Sequence, residues 1–139
     1  AYVRLDRKKI LLRTNVTEPD HVAVQDQTLL HSISVTRGLK PGGWILINSP
    51  SAPADLAPFA GFRLAHVDAN RIAIQHKLGT RTHPIVNTTM IGAFARVLEM
   101  PPLKAVAEAI REDIQTEAER NIEAAREAFS QVCLAGMIE

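Results

Sequence analysis

The run Trp44-Ile45-Leu46-Ile47 is apolar without alternation and follows the turn Gly38-Leu39-Lys40-Pro41-Gly42-Gly43. A strand that shows no polar face must be covered on both sides, and that is the condition of the central strands of a parallel sheet. A second short run, residues 22 to 25, ends at Asp26, and eighteen residues from Asp26 through Gly43 separate it from Trp44. That length suffices for a right-handed crossover, so the two runs are expected to be parallel neighbours. The crossover contains a Ser- and Thr-diluted helical stretch from Gln27 to Val35.

The remaining elements follow from punctuation and period. Tyr2-Val3-Arg4-Leu5 and Ile10-Leu11-Leu12-Arg13, joined by Asp6-Arg7-Lys8-Lys9, read as an antiparallel hairpin at a sheet edge. Asn48 to Gly61 holds three prolines and four alanines with little periodicity and reads as a surface loop. Arg63-Leu64-Ala65-His66-Val67 resumes a strand. Asp68 then stands where its carboxylate can cap a helix that ends near Gly79. Beyond Gly79 the pattern is helical throughout. Val86, Met90, Ala93 and Val97 mark one helix, and Pro101-Pro102 closes it. Leu103, Val106, Ala107, Ile110 and Ile114 mark the next, and Ala118, Ile122, Ala125, Phe129 and Val132 the last. The expected fold is α/β: an open, mostly parallel sheet with flanking helices, an edge β-hairpin and a helical C-terminal part. A length of 139 residues allows one domain, spanning residues 1–139.

Composition removes several classes of function. A formal charge of +1 supplies no field that would gather nucleic acid or an anionic membrane, so neither is an expected partner. No apolar run approaches the roughly 18 residues of a membrane span, which predicts a soluble chain. Cys133 is the single cysteine, which rules out an internal disulfide or a four-thiolate cluster built by this chain, and a reducing, cytoplasmic setting is expected. Five histidines show no metal-ligand spacing with Cys or carboxylate partners, so no metal is assigned. Cys133, near the end of an amphipathic helix, reads as a small core residue rather than a nucleophile. No GxGxxG or P-loop occurs, and Ser49 lacks a glycine-flanked elbow.

Open α/β sheets bind ligands at the carboxyl ends of their strands, and Asp26, Asn48, Ser49 and Asp68 each follow a strand. Asp and Asn also end strands as turn formers and helix caps, and both readings stay open. In Asn87-Thr88-Thr89-Met90-Ile91-Gly92-Ala93, the helix start can present amides to an anion. The other reading makes Asn87 a cap and Gly92 a point of close packing. Asn121, beside an apolar stripe, reads as a side chain bonded to nearby backbone, with a ligand contact as the other reading.

Taken together, these segments carry a family resemblance: Val24-Gln25-Asp26-Gln27-Thr28-Leu29-Leu30, Gly38 to Gly43 running into Ile45-Leu46-Ile47-Asn48-Ser49, Val67-Asp68-Ala69 with Ile72-Ala73, and Asn87 to Phe94. With Glu119, Asn121 and Ala124 they resemble the gamma subunit of the pyruvate and related 2-oxoacid:ferredoxin oxidoreductases, over about residues 1 to 130. That family begins with a strand, a Gly-rich turn and a helix, which are not in this sequence; the chain starts at Ala1 in what looks like the edge hairpin, and a preceding segment is expected. Gln27 stands where the family usually has Pro.

The resemblance implies a subunit that is not catalytic alone. Alpha, beta and delta-type partners would carry thiamine diphosphate and the iron–sulfur clusters, and the complex would deliver electrons to ferredoxin. This chain would contribute docking surface and part of a coenzyme A site, with Asn48, Ser49, Asn87 and Thr88 as the candidate contacts. Two rival readings remain. Leu39 to Gly43 before an apolar strand also resembles class I S-adenosylmethionine-dependent methyltransferases, which should end in an antiparallel hairpin where this chain has successive helices. The other is a non-catalytic interaction domain.

Overall fold

A computed structural model describes all residues, Ala1 to Glu139. Four strands form one sheet in the order β1-β2-β3-β4: β1 Val22–Val24, β2 Trp44–Asn48, β3 Arg63–Val67 and β4 Cys133–Met137. The first three are parallel, with Val22 opposite Ile45 and Asn48 opposite Val67. β4 is antiparallel to β3, with His66 opposite Cys133. Four helices follow β3 and precede β4: α1 Ala69–Gln75, α2 Asn87–Leu98, α3 Leu103–Asp113 and α4 Ala118–Gln131. The fold is the expected open α/β sheet.

Each face of the sheet has its own core, which explains why β2 shows no alternation. Leu46, Ala65 and Val67 pack under α1, α2 and α4 with Ile72, Met90, Ala93, Ala124 and Ala128. Ile45, Ile47, Leu64 and Val24 face the other way, against Leu39 and Phe59 of the two connecting loops. Neighbours along β2 therefore bury on opposite sides, and none can be polar without a partner. A third apolar cluster, including Ala95, Val106, Ile110 and Ile122, holds α3 against α2 and α4. α2 and α4 run parallel at close range, because the pairs Thr88–Asn121 and Gly92–Ala125 share one sequence offset.

Two expectations need correction. Residues 2–5 and 10–13 form no strands. Asp6 accepts a hydrogen bond from the Lys8 amide at 3.0 Å, and the Arg4 guanidinium donates to the carbonyls of Thr14 and Asn15, so the chain doubles back as a hairpin would. No ladder joins the two runs, and Val3, Leu5 and Leu11 stay 78%, 80% and 79% exposed. Two extended runs without a third strand or a buried apolar face gain too little to pair. The C-terminal part is also not wholly helical. After α4 the chain enters β4, and Cys133 lies exposed on that strand rather than in a helical core.

The connections otherwise match the pattern. The stretch after Asp26 is a short 3-10 helix, Gln27–His31, with the Asp26 carboxylate accepting from the Thr28 hydroxyl at 2.7 Å and amide at 2.9 Å. Those bonds hold the Asp26 carboxyl below its usual pKa, the hydroxyl contributing most. Asp68 caps α1 as expected, accepting from the Arg71 amide at 3.0 Å. No helix is long and apolar enough to cross a membrane.

Candidate ligand site at the carboxyl rim of the sheet

Asn48, Ser49 and Asp68 lie together because β2 and β3 are parallel and end level with each other, Asn48 opposite Val67. Asn48 is 5% exposed and uses its whole amide. Its Nδ2 donates to the Gln25 carbonyl and to Asn70 Oδ1, both at 2.9 Å, while its Oδ1 accepts from the Ala69 amide at 2.9 Å. One side chain thus joins the end of β1, the end of β2 and the start of α1. Ser49 Oγ donates to the Ser51 carbonyl at 2.7 Å, and the Ser49 amide donates to the Val67 carbonyl at 2.9 Å. These groups shape the rim, and their polar atoms are already engaged.

What the rim leaves open is a cleft of about 210 Å³ lined by Pro50, His66, Val67, Asp68, Arg71, Gln131 and Cys133. His66 and Cys133 face it from neighbouring strands, and the His66 Nδ1 lies 3.3 Å from the Ser49 carbonyl. Arg71 leans across its mouth, donating to Gln75 Oε1 at 2.9 Å and to Gln131, with Glu127 at 3.7 Å. His76 meets Glu127 at 2.6 Å behind it, tying α1 to α4. The cleft therefore offers an imidazole, a guanidinium, a thiol and apolar carbon within one opening.

Asn87 and Thr88 sit elsewhere. Thr88 is buried, and its hydroxyl donates to Asn121 Oδ1 at 2.6 Å while Asn121 Nδ2 donates to the Glu117 carbonyl at 3.0 Å. α4 reaches the rim at Gln131, ten residues beyond Asn121, or about 15 Å along a helix. The Thr88–Asn121 pair is that far from the rim, so the four candidate residues form two locations. Asn87 is exposed and its Oδ1 accepts from the neighbouring Thr88 amide at 2.9 Å; the position before it, Val86, provides no side-chain cap.

Sequence reading did not find His66, Arg71, Gln131 or Cys133, because the cleft exists only once β4 is laid beside β3. A signal for that strand was present: from Val132 to Ile138 the chain carries no charge, unlike the three helices before it.

With this geometry in hand, the comparisons are specific. Residues 1–131 match the pyruvate ferredoxin/flavodoxin oxidoreductase family. The chain belongs to that family. It is 41% identical over 133 residues to the pyruvate synthase subunit PorC of Methanocaldococcus jannaschii, covering 95% of this chain and 70% of the relative. It is 39% identical over 136 residues to the pyruvate/ketoisovalerate oxidoreductases common subunit gamma of Thermococcus kodakarensis, covering 94% and 71%. Among solved structures, the pyruvate oxidoreductase subunit PORC of Thermotoga maritima superposes with a TM-score of 0.73 at 32% identity, covering 86% of this chain and 67% of that one. Membership sets aside the methyltransferase reading. The ending of the chain does not by itself separate the two folds, since β4 is an antiparallel final strand.

Proposed function

We propose that this chain is the gamma-type subunit of a 2-oxoacid:ferredoxin oxidoreductase, and that its carboxyl-rim cleft forms part of the coenzyme A site. The observation that carries the first half is the alignment of nearly the whole chain with relatives named as subunits of pyruvate and ketoisovalerate oxidoreductases. Such a complex decarboxylates a 2-oxoacid oxidatively, transfers the acyl group to the thiol of coenzyme A and passes electrons to ferredoxin. As the family resemblance implies, the iron–sulfur clusters and thiamine diphosphate would be carried by alpha, beta and delta-type partners, and the single cysteine of this chain agrees with that.

The second half rests on the place and size of the cleft. It lies where open parallel sheets receive ligands, outside the carboxyl ends of their strands. Pockets that enclose a drug-sized molecule measure about 300–1,000 Å³. At about 210 Å³ the cleft takes only one portion of coenzyme A, and the rest would lie against a neighbouring subunit. Asn48 and Ser49 act in this reading by holding β1, β2, β3 and α1 at fixed spacing, with Pro50 forming one wall. Asn87, exposed at the other location, is assigned to the docking surface, with Thr88 buried beneath it against Asn121.

Tagged in its native host, the chain is expected to copurify with larger, coloured iron–sulfur subunits in an assembly that oxidises a 2-oxoacid only when coenzyme A is added. Recovery as a colourless protein with no partner would contradict the subunit assignment. Recovery of a complex whose turnover is indifferent to coenzyme A would contradict the acyl acceptor.

A further inference from the structure

His21 stands between the exposed N-terminal arm and β1, and its ring touches two other elements. Its Nδ1 accepts a hydrogen bond from the Trp44 backbone amide at 3.1 Å. Trp44 opens β2, but β1 first meets β2 at Ile45, so the Trp44 amide lacks a ladder carbonyl on that side and the imidazole takes the carbonyl's place. The ring also meets Phe94 of α2 edge-on, with centroids 6.4 Å apart and planes at 79°.

Only an unprotonated Nδ1 can accept that bond, because both nitrogens of an imidazolium carry hydrogen. Two charges act on the ring. Asp20 precedes it and is drawn to Lys40 at 2.7 Å, and Arg63 of β3 stands over the Trp44 ring with its guanidinium carbon 4.8 Å from the centroid. From α2 the ring meets the uncharged Phe94.

We propose that His21 is a proton-operated latch: as neutral imidazole it fastens the start of β2 and the arm to the helical layer, and on protonation it releases the Trp44 amide and loosens the arm and β1. Burial holds its pKa below the ordinary 6.5; Asp20 opposes that shift and Arg63 reinforces it. The sign follows. A group whose pKa is lowered by folding contributes stability that is present above 6.5 and is lost as pH falls through the lower folded-state value. The latch is closed at neutral pH and opens in mild acid.

Trp44 is the only tryptophan, so the latch has its own reporter. In the full chain, titrated from about pH 7.5 to about pH 5 across the histidine range, Trp44 emission should change with a midpoint below 6.5, and protection of its amide against hydrogen exchange should fall about tenfold. In His21→Gln, whose Oε1 can accept the bond but takes no proton in this range, both signals should stay flat. The ring resonances of His21 in the unsubstituted chain give a second check, since their midpoint should coincide with that of the amide. A flat Trp44 signal in the unsubstituted chain, an equal titration in His21→Gln, or ring and amide midpoints more than about one unit apart would overturn the latch.

Discussion

Replacing Gly92 by Ala is expected to destabilise the fold by about 3 kcal/mol, the upper part of the range for overpacking. A Cβ at this position would lie 2.1 Å from the Ala125 carbonyl oxygen and 2.6 Å from that residue's Cα. Ordinary contact between carbons is about 3.5 Å, so the helices would have to part by more than an ångström. The obstacle is backbone on α4, which cannot swing aside as a side-chain tip can. Parting α2 from α4 also stretches the buried Thr88–Asn121 bond and opens the cluster around Ala93, Ala124 and Ala128. Alanine recovers about 1 kcal/mol of helix propensity, which offsets only part of the loss. For a domain of this size the midpoint of thermal unfolding should drop by about 10 °C. Ile91→Ala, at a half-exposed neighbour, is the matched control and should move it far less. An unchanged midpoint for Gly92→Ala would show that the helices do not pack as described.

Asn48→Leu is the second large effect. The substitution keeps the branched shape of the side chain and removes every polar atom, leaving the Ala69 amide, the Gln25 carbonyl and Asn70 Oδ1 without their partner. An unsatisfied buried group costs about 1–3 kcal/mol. Gln25 and Asn70 are exposed and can turn to water, so the buried Ala69 amide is the group left without a partner and the expected loss is on the order of 2 kcal/mol by denaturant unfolding. Asn48→Asp should also destabilise, because a carboxylate can still accept from Ala69 but sets charge against two acceptor oxygens. If Asn48 served only as a ligand contact, both variants would unfold at the same denaturant concentration as the unsubstituted chain and lose only coenzyme A dependence.

These residues show why part of the molecule was legible from its sequence. β2 announces itself because burial on both faces forces an unbroken apolar run, β3 by its apolar Leu64, Ala65 and Val67, and the glycine- and proline-rich turns between elements mark where each run stops. Asp68 was readable as a cap because capping is local, acting over three residues. β4 was not readable in this way. It is short, it lies at an edge with four of its five residues exposed, and its partner β3 lies far back in the sequence. The edge hairpin failed for the opposite reason: the local pattern of strand, turn and strand is present, but a ladder needs a neighbour that the local pattern cannot supply.

The candidate site divides along the same line. Asn48, Ser49 and Asp68 were placed at one rim by topology alone, since residues after parallel strands share an edge. Whether Asn87 and Thr88 joined them depended on the direction of α2, which is set by its packing on α4 through Gly92 and Thr88, a long-range contact without local signature. Gly92 therefore does more than permit close packing: it places the start of α2 away from the rim. Cys133 moved from an expected helix core to the wall of the cleft because the chain turns at Val132 into β4.

That position makes Cys133 the most direct probe of the rim as a ligand site. The chain has no other cysteine, so alkylation of its thiol can be followed on one peptide of the purified complex. Desulfo-coenzyme A, which lacks the thiol that would consume the reagent, should slow alkylation of Cys133 about tenfold at ten times its dissociation constant. Alkylation at the same rate under saturating desulfo-coenzyme A would show that the cofactor does not enter the cleft between β3, β4 and α1.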